Sequence, residues 1–301
     1  MVLGKVGLTG CTGMLGRHLQ AALKAAGADV KAVSRSGTDG SAVWDLSKWL
    51  DMEELDKLFL GSQAIIHAGA LVQPSGEVDE ELMFNSNVRA CLNLGQWSMR
   101  RNVPLLLISG AIVYANPLAS KQHESALMGC NGLGGFYGLS KLLSEYVLNP
   151  LREKGLKLCV LRPSSIYGFG ISKDKMVARF LGNAIRGENI ILNHPVNDRV
   201  DIVHAADVAN ATIAAIKNEC WETMNISSGN PVSIIELAKA CVAVTGKGRI
   251  EIQGKFYLNY EPSTTYSLDI SRAYERLKWQ PCVETTKGLK MLMHGQCLLT
   301  Y

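Results

Sequence analysis

Tyr137 and Lys141 stand four residues apart in the run Phe136-Tyr137-Gly138-Leu139-Ser140-Lys141. On a helix, one turn brings the phenol and the ammonium to the same face. An ammonium held there favours phenolate over phenol. It lowers a pKa of about 10 toward the range where a tyrosine exchanges protons with a sugar or alcohol hydroxyl. Tyr-x-x-x-Lys also arises by chance, usually as a surface lysine beside a half-buried tyrosine. The pair gains meaning from what precedes it.

Upstream, Thr9-Gly10-Cys11-Thr12-Gly13-Met14-Leu15-Gly16 follows an apolar run and opens a segment of helical period. A strand-to-helix turn is where a dinucleotide pyrophosphate meets a helix N-terminus. Gly10 allows a tight exit from the strand, Gly13 lets backbone approach phosphate, and Gly16 lets the helix pack closely on the sheet. The candidate cofactor contacts are therefore Gly10, Thr12, Gly13, Met14, Leu15 and Gly16. The glycine spacing is three and three, not the better-known two and three, and an ordinary glycine-rich turn is the alternative.

The second strand ends in Val33-Ser34-Arg35-Ser36, with no Asp or Glu to take a ribose 2′-hydroxyl. Ser34 and Arg35 instead offer a hydroxyl and a guanidinium suited to a 2′-phosphate, which points to NADP, with NAD as the alternative. Asp45-Leu46 is placed to meet an adenine edge, with a turn or cap role for the aspartate as the alternative. His67-Ala68-Gly69 puts small residues where ribose and phosphate would pass. For His67, a simple hydrogen bond to the neighbouring loop explains the residue equally well.

The elements that must position these groups alternate along the first half. Strands are expected at Lys5 to Thr9, Asp29 to Val33, Ala42 to Trp44, Ala64 to His67, Leu105 to Ser109 and Lys157 to Leu161. Helices are expected at Leu15 to Ala26, Met52 to Phe59, Asp79 to Arg100 and Gly138 to Glu153. This is the signature of an α/β fold with a doubly wound parallel sheet. Past Leu161 the rhythm loosens, with helices at Met176 to Arg186, Ala205 to Lys217 and Ile234 to Val244. The expected organisation is a nucleotide-binding domain over 1–162 and a smaller α/β substrate lobe over 163–301, some of whose segments return to the sheet.

The chain has 301 residues, 47% of them hydrophobic, and a net charge of +4 with no long run of like charge, which argues against nucleic acid or a membrane surface as partner. Its eight cysteines are scattered without a Cys-x-x-Cys pair, which favours reduced thiols in the cytoplasm over disulfides or a metal site. No signal peptide or membrane span is expected.

Together these residues resemble the extended short-chain dehydrogenase/reductase family, in its NAD(P)-dependent epimerase/dehydratase branch acting on nucleotide sugars. The likeness also takes in Asn87-Val88, Val113-Tyr114, the run from Leu161 through Arg162-Pro163 to Gly168, the segment Arg199 to Val208, and Leu277 to Pro281. It implies a Rossmann-type fold and a nucleotide-diphosphate sugar substrate. Tyr137 would be the general acid/base, Lys141 would bind the nicotinamide ribose, and Asn87, Arg162 and Pro163 would line the cofactor. Ser165 and Arg199 would face the substrate, although Arg199 lies one residue before the family's usual arginine.

The main departure is Gly110, where many relatives carry a catalytic Ser or Thr. Some read Ser-Ser-Gly-Gly-Thr-Val-Tyr, and by that version Ser109 supplies the substrate-orienting hydroxyl. The resemblance also implies a homodimer formed through the helices Asp79 to Arg100 and Gly138 to Glu153. Two other readings stay open: an NADP-dependent reductase of a non-sugar carbonyl compound, and a non-catalytic dinucleotide-binding protein. Polar groups beyond residue 162, such as Lys173, Arg186 and Asn193, favour a sugar over a lipophilic ketone.

Overall fold

The structure, a computed structural model, describes residues 3–72, 79–116, 119–130, 134–253 and 264–297. In chain order its strands are β1 Lys5–Thr9, β2 Asp29–Ser34, β3 Ala42–Val43, β4 Ala64–His67, β5 Leu105–Ile108, β6 Leu158–Pro163, β7 Ser165–Tyr167, β8 Asn189–Asn193, β9 Arg199–Val200, β10 Ile202–His204, β11 Thr223–Ile226, β12 Val232–Ser233 and β13 Arg249–Gln253. Its helices are α1 Met14–Ala25, α2 Met52–Phe59, α3 Glu80–Phe84, α4 Ala90–Arg101, α5 Gly135–Glu153, α6 Met176–Arg186, α7 Ala205–Lys217, α8 Ile234–Thr245, α9 Ser271–Leu277 and α10 Thr285–Met293.

Seven strands form one parallel sheet in the order β11-β6-β5-β4-β1-β2-β3. Both faces are covered, so successive strand residues bury on opposite sides and the strands read as continuous apolar runs. Leu8, Ile66, Leu106 and Leu161 pack with α1 and α7, through Leu19, Leu23, Val208 and Ala211. Ile65, Leu105, Leu107 and Val160 pack with α2, α4 and α5, through Phe59, Leu94, Trp97 and Leu148. Because every pairing is parallel, the carboxyl ends of all seven strands lie on one edge, where an open α/β sheet binds its ligand.

Beyond Arg162 the chain divides between two cores. The strand β11 returns to pair with β6, and α7 joins the sheet's first core. A separate apolar core gathers Phe180 and Leu181 of α6, Ile190 of β8, Leu237 and Cys241 of α8, Leu289 of α10, and Tyr167. Among the described residues, no helix is long and apolar enough to cross a membrane. All eight cysteines are unpaired.

One expected element differs. The helix anticipated over Asp79 to Arg100 is α3, a π-helical turn at Asn85–Arg89, and then α4. The wider turn carries Asn87, whose side chain bonds outside its own helix. Such turns are frequent at functional sites. In addition, α5 begins at Gly135, three residues before the expected Gly138, so Tyr137 lies in its first turn.

Candidate active site

The sheet order reverses between β1 and β4, and the turns that leave these two strands diverge to open a crevice. Gly10 has φ +71°, and a Cβ added there would sit 2.5 Å from both Cα and N of Gly69, so the two turns touch backbone to backbone. A Cβ on Gly16 would strike the Gly10 carbonyl. Both positions therefore require glycine. The helix α1 starts from Gly13 with no side-chain cap and no acidic residue in its first turn. Its first N–H groups are left for a ligand.

Between the turns lies a cavity of about 350 Å³, lined by Gly10, Thr12 and Gly13 from the first turn and Ala68 and Gly69 from the second. Ser34, Arg35, Asp45 and Leu46 line its far side. Thr9, Trp44, Leu71 and Ser86 also line it, beyond the residues expected from the sequence. Each neighbours a residue that was named or belongs to the same turn, which is the signal that could have found them.

Tyr137 and Lys141 lie one turn apart on α5. The phenol of Tyr137 makes no hydrogen bond among the described residues and is half-buried. Lys141 is buried, and its Nζ donates to the Ile108 carbonyl at the end of β5, at 2.9 Å. Asn87 joins this helix to the cavity. Its Nδ2 donates to Ser140 Oγ at 2.9 Å and to the Leu71 carbonyl at 3.0 Å, while its Oδ1 accepts from the Leu71 N–H at 2.7 Å.

A match to the NAD dependent epimerase/dehydratase family spans residues 6–227, well over half of the chain. The chain belongs to that family.

Among curated relatives, a UDP-glucuronic acid decarboxylase 6 of Arabidopsis thaliana is 24% identical over 299 residues, covering 95% of this chain and 86% of the relative. A dTDP-4-dehydro-6-deoxy-D-allose reductase of Streptomyces sp is 26% identical, with 91% of this chain and 90% of the relative covered. In fold, the chain is similar to the UDP-glucose 4-epimerase of Thermus thermophilus in complex with NAD, at a TM-score of 0.79, 22% identity, and coverage of 97% and 98%.

The residues present fit the dinucleotide that the family name implies. Paired glycine turns and an uncapped helix N-terminus face one cavity, with an exposed guanidinium, Arg35, at its far side. Arg35 has no ion-pair partner among the described residues. Ser34 is different from what its position suggested. It is buried, its Oγ takes the Gly37 N–H at 3.0 Å, and it meets Ser41 Oγ at 2.7 Å, so it braces the loop that presents Arg35. Asp45 lines the cavity while its Oδ1 caps a turn by accepting from Ser47 N and Oγ.

His67 lies outside the cavity lining. Thr9 Oγ1 accepts from Gly69 N at 3.3 Å and shares a hydrogen bond with His67 Nδ1 at 2.6 Å, and this clasp holds the two turns together. Burial lowers the imidazole pKa to about 3, with the Lys141 charge acting in the same direction, so the ring is neutral. Leu15 packs into the core beneath the turn, and Met14 faces the 168–170 loop.

The side chains of Ser109 and Arg162 are engaged elsewhere. Ser109 is buried and donates its proton to Glu145 Oε1 at 2.5 Å, which leaves only lone pairs for a substrate. Arg162 is 4% exposed and forms an ion pair with Glu145 at 2.7 Å. It also donates to Tyr114 Oη at 3.1 Å and to the Glu124 carbonyl at 3.0 Å. The expected cofactor contact through the Arg162 side chain is thus replaced by a buried network under α5. A charge so deep in the protein needs a paired carboxylate. Glu145 itself was not anticipated, although it lies one turn past Lys141.

Pro163 closes β6 beside β11, and its carbonyl lies 4.0 Å from a Cβ added at Gly110. Gly110 has an extended backbone, and a Cβ added there would make only ordinary contacts, 3.8 Å to Ile112 Cγ2 being the nearest. Ser165 is exposed at the start of β7. Arg199 pairs with Glu236 at 3.0 Å and donates to the Pro231 carbonyl at 2.7 Å, so the expected contact with a diphosphate would have to displace these bonds. Arg186 pairs with Glu188 on the surface.

Proposed function

We propose that this chain is an NADP-dependent enzyme that transforms a nucleotide-activated sugar by hydride transfer. The observation that carries the reading is the continuity from the cavity through Leu71 and Asn87 to the helix of Tyr137 and Lys141. The relatives named above act on UDP- and dTDP-sugars by their printed names, which supports the same substrate class here.

The glycine turn and the α1 N-terminus would hold the pyrophosphate, and Arg35 the 2′-phosphate. Bound there, the dinucleotide supplies hydride chemistry. Tyr137 then exchanges the proton of the reacting hydroxyl at its Oη. Lys141 keeps its place through the Ile108 carbonyl and has two further N–H donors for ribose hydroxyls. Ser165 faces the sugar nucleotide. Among the chemistries this fold hosts, Arg35 favours a reductase, because a reductase releases oxidised cofactor after each turnover and draws on NADPH.

The test is mass spectrometry of any nucleotide released on denaturing the fresh protein, followed by titration with NADPH and NADH. An empty protein that prefers NADPH by about tenfold, or about 1.4 kcal/mol, supports the reading. Stoichiometric retained NAD contradicts it and points to an epimerase or decarboxylase that recycles its cofactor.

A further inference from the structure

Ile112 lies in the short turn after β5 and packs on the first turn of α5, the turn that carries Tyr137. A Cβ added at Gly134 would lie 2.6 Å from Ile112 Cγ1 and 3.0 Å from its Cδ1, and one added at Gly138 would lie 3.2 Å from the same Cγ1. Residues 134 and 138 are one helical turn apart and share a face. Their missing side chains leave a notch, and the Ile112 side chain fills it. For a Cβ at Gly138, Ile112 is the one contact within 4 Å among the described residues outside its chain neighbours and its own helix.

The two partners are held with different firmness. Ile112 is β-branched and stiff at χ1, and it stands between Ala111 and Val113, both buried. Tyr114, just beyond, is fully buried and donates to Asn225 Oδ1 at 2.6 Å. The start of α5, in contrast, has no side-chain cap and no acidic residue in its first turn. The Tyr137 phenol makes no hydrogen bond among the described residues that would fix it from its far end. The segment from the end of β5 onward therefore holds both members of the pair: Lys141 through the Ile108 carbonyl at 2.9 Å, and the turn of Tyr137 through Ile112.

We propose that Ile112 is a positioning residue for Tyr137, setting the distance between the sheet edge and the first turn of α5 and with it the place of the phenol oxygen at the reacting carbon. This rests on the reading of Tyr137 as the acid/base. A proton-transfer group displaced by about 1 Å loses about 10²-fold in rate.

The experiment is single-turnover oxidation of NADPH by the full chain with a nucleotide 4-keto sugar. The proteins are wild type, Ile112→Ala, Ile112→Val, Gly138→Ala, the double variant Ile112→Ala with Gly138→Ala, and Tyr137→Phe with and without Ile112→Ala, each with its NADPH affinity. Ile112→Ala is expected to slow turnover roughly 10- to 100-fold with affinity changed less than about threefold, and Ile112→Val to fall between it and wild type. In the Tyr137→Phe background the same change should cost less than about twofold, because it acts through the phenol. Gly138→Ala should also slow turnover, and the double variant should lose less than the product of the two single losses, since the new methyl takes the vacated space.

An Ile112→Ala rate within about threefold of wild type overturns the Ile112 proposal alone. So does an equal loss with and without the phenol, which marks a purely structural role, and so does a double variant whose loss is the product of the singles. If Ile112→Ala does not fold, Ile112→Val in the two backgrounds makes the same comparison. A wild type that leaves NADPH unoxidised, or a Tyr137→Phe variant as fast as wild type, overturns the reading of Tyr137 and this proposal with it.

Discussion

Asn87 Nδ2 meets Ser140 Oγ at 2.9 Å, and through this bond the loop that walls the cavity is tied to the helix that carries Tyr137. Ser140 in turn donates to the Tyr137 carbonyl at 2.8 Å, and Ser144 to the Asn87 carbonyl at 3.0 Å. Asn87 is 2% exposed, so it acts by positioning both sides. Its π-helical turn is the backbone cost of reaching across.

Replacing Asn87 by Ala leaves the Leu71 N–H and carbonyl without their partners. We expect a loss of roughly 2–3 kcal/mol in unfolding free energy, with a larger relative fall in dinucleotide affinity. Chemical denaturation and titration of the same variant check this. Unchanged affinity would show that the loop holds its place without Asn87.

The Glu145–Arg162 pair is buried on both sides, with side-chain exposures of 5% and 4%. Arg162→Met strands a carboxylate in the core and should destabilise by about 3–5 kcal/mol. The double variant Arg162→Met, Glu145→Met should recover much of that, because the cost lies in the unpaired charge. Denaturant midpoints of the single and double variants decide it.

Gly16→Ala forces a methyl into the Gly10 carbonyl, and Gly10→Ala adds strain at φ +71° against Gly69. Each should lose roughly 1–3 kcal/mol of stability. Dinucleotide binding should fall by more than that, since α1 must move off the sheet. Gly110→Ala, with only ordinary contacts for the added methyl and an extended backbone, is the matched control and should leave stability within about 0.5 kcal/mol.

Acid sensitivity follows from buried imidazoles. His67 and His204 both have their pKa lowered to about 3 from 6.5, first by burial and then by Lys141 and His18 respectively. The unfolded chain binds these protons below pH 6.5 and the folded chain does not. Stability is therefore fully present above about pH 6.5 and is lost as pH falls toward about 3. Two such groups give a slope of about 2.7 kcal/mol per pH unit well below 6.5. His67→Gln should make the slope shallower, and denaturation between pH 4 and 7 measures it.

What could be read from the sequence was what local chemistry dictates. The helix α2 begins at Met52 as expected because Asp51 and Glu54 close a capping box, visible as Asp-x-x-Glu before an apolar stripe. The glycine turn was legible because only glycine fits Gly10 and Gly16. The hidden parts depend on partners far along the chain. Arg162 finds Glu145 on α5, and Arg199 finds Glu236 on α8. Resemblance suggested that these two side chains meet ligands, but each has a protein partner. The π-helical turn at Asn85 to Arg89 has no local sequence signature that separates it from an α-helical turn.

The central claim is that Tyr137 moves a proton while a dinucleotide moves a hydride. Tyr137→Phe removes one oxygen that bonds to nothing else among the described residues, so fold and cofactor site should be untouched. The decisive measurement is single-turnover oxidation of NADPH by wild type and Tyr137→Phe with a nucleotide 4-keto sugar, alongside their NADPH affinities. The account predicts a rate lower by about 10²–10⁴-fold with affinity changed less than about threefold. A variant that turns over as fast as wild type would contradict it.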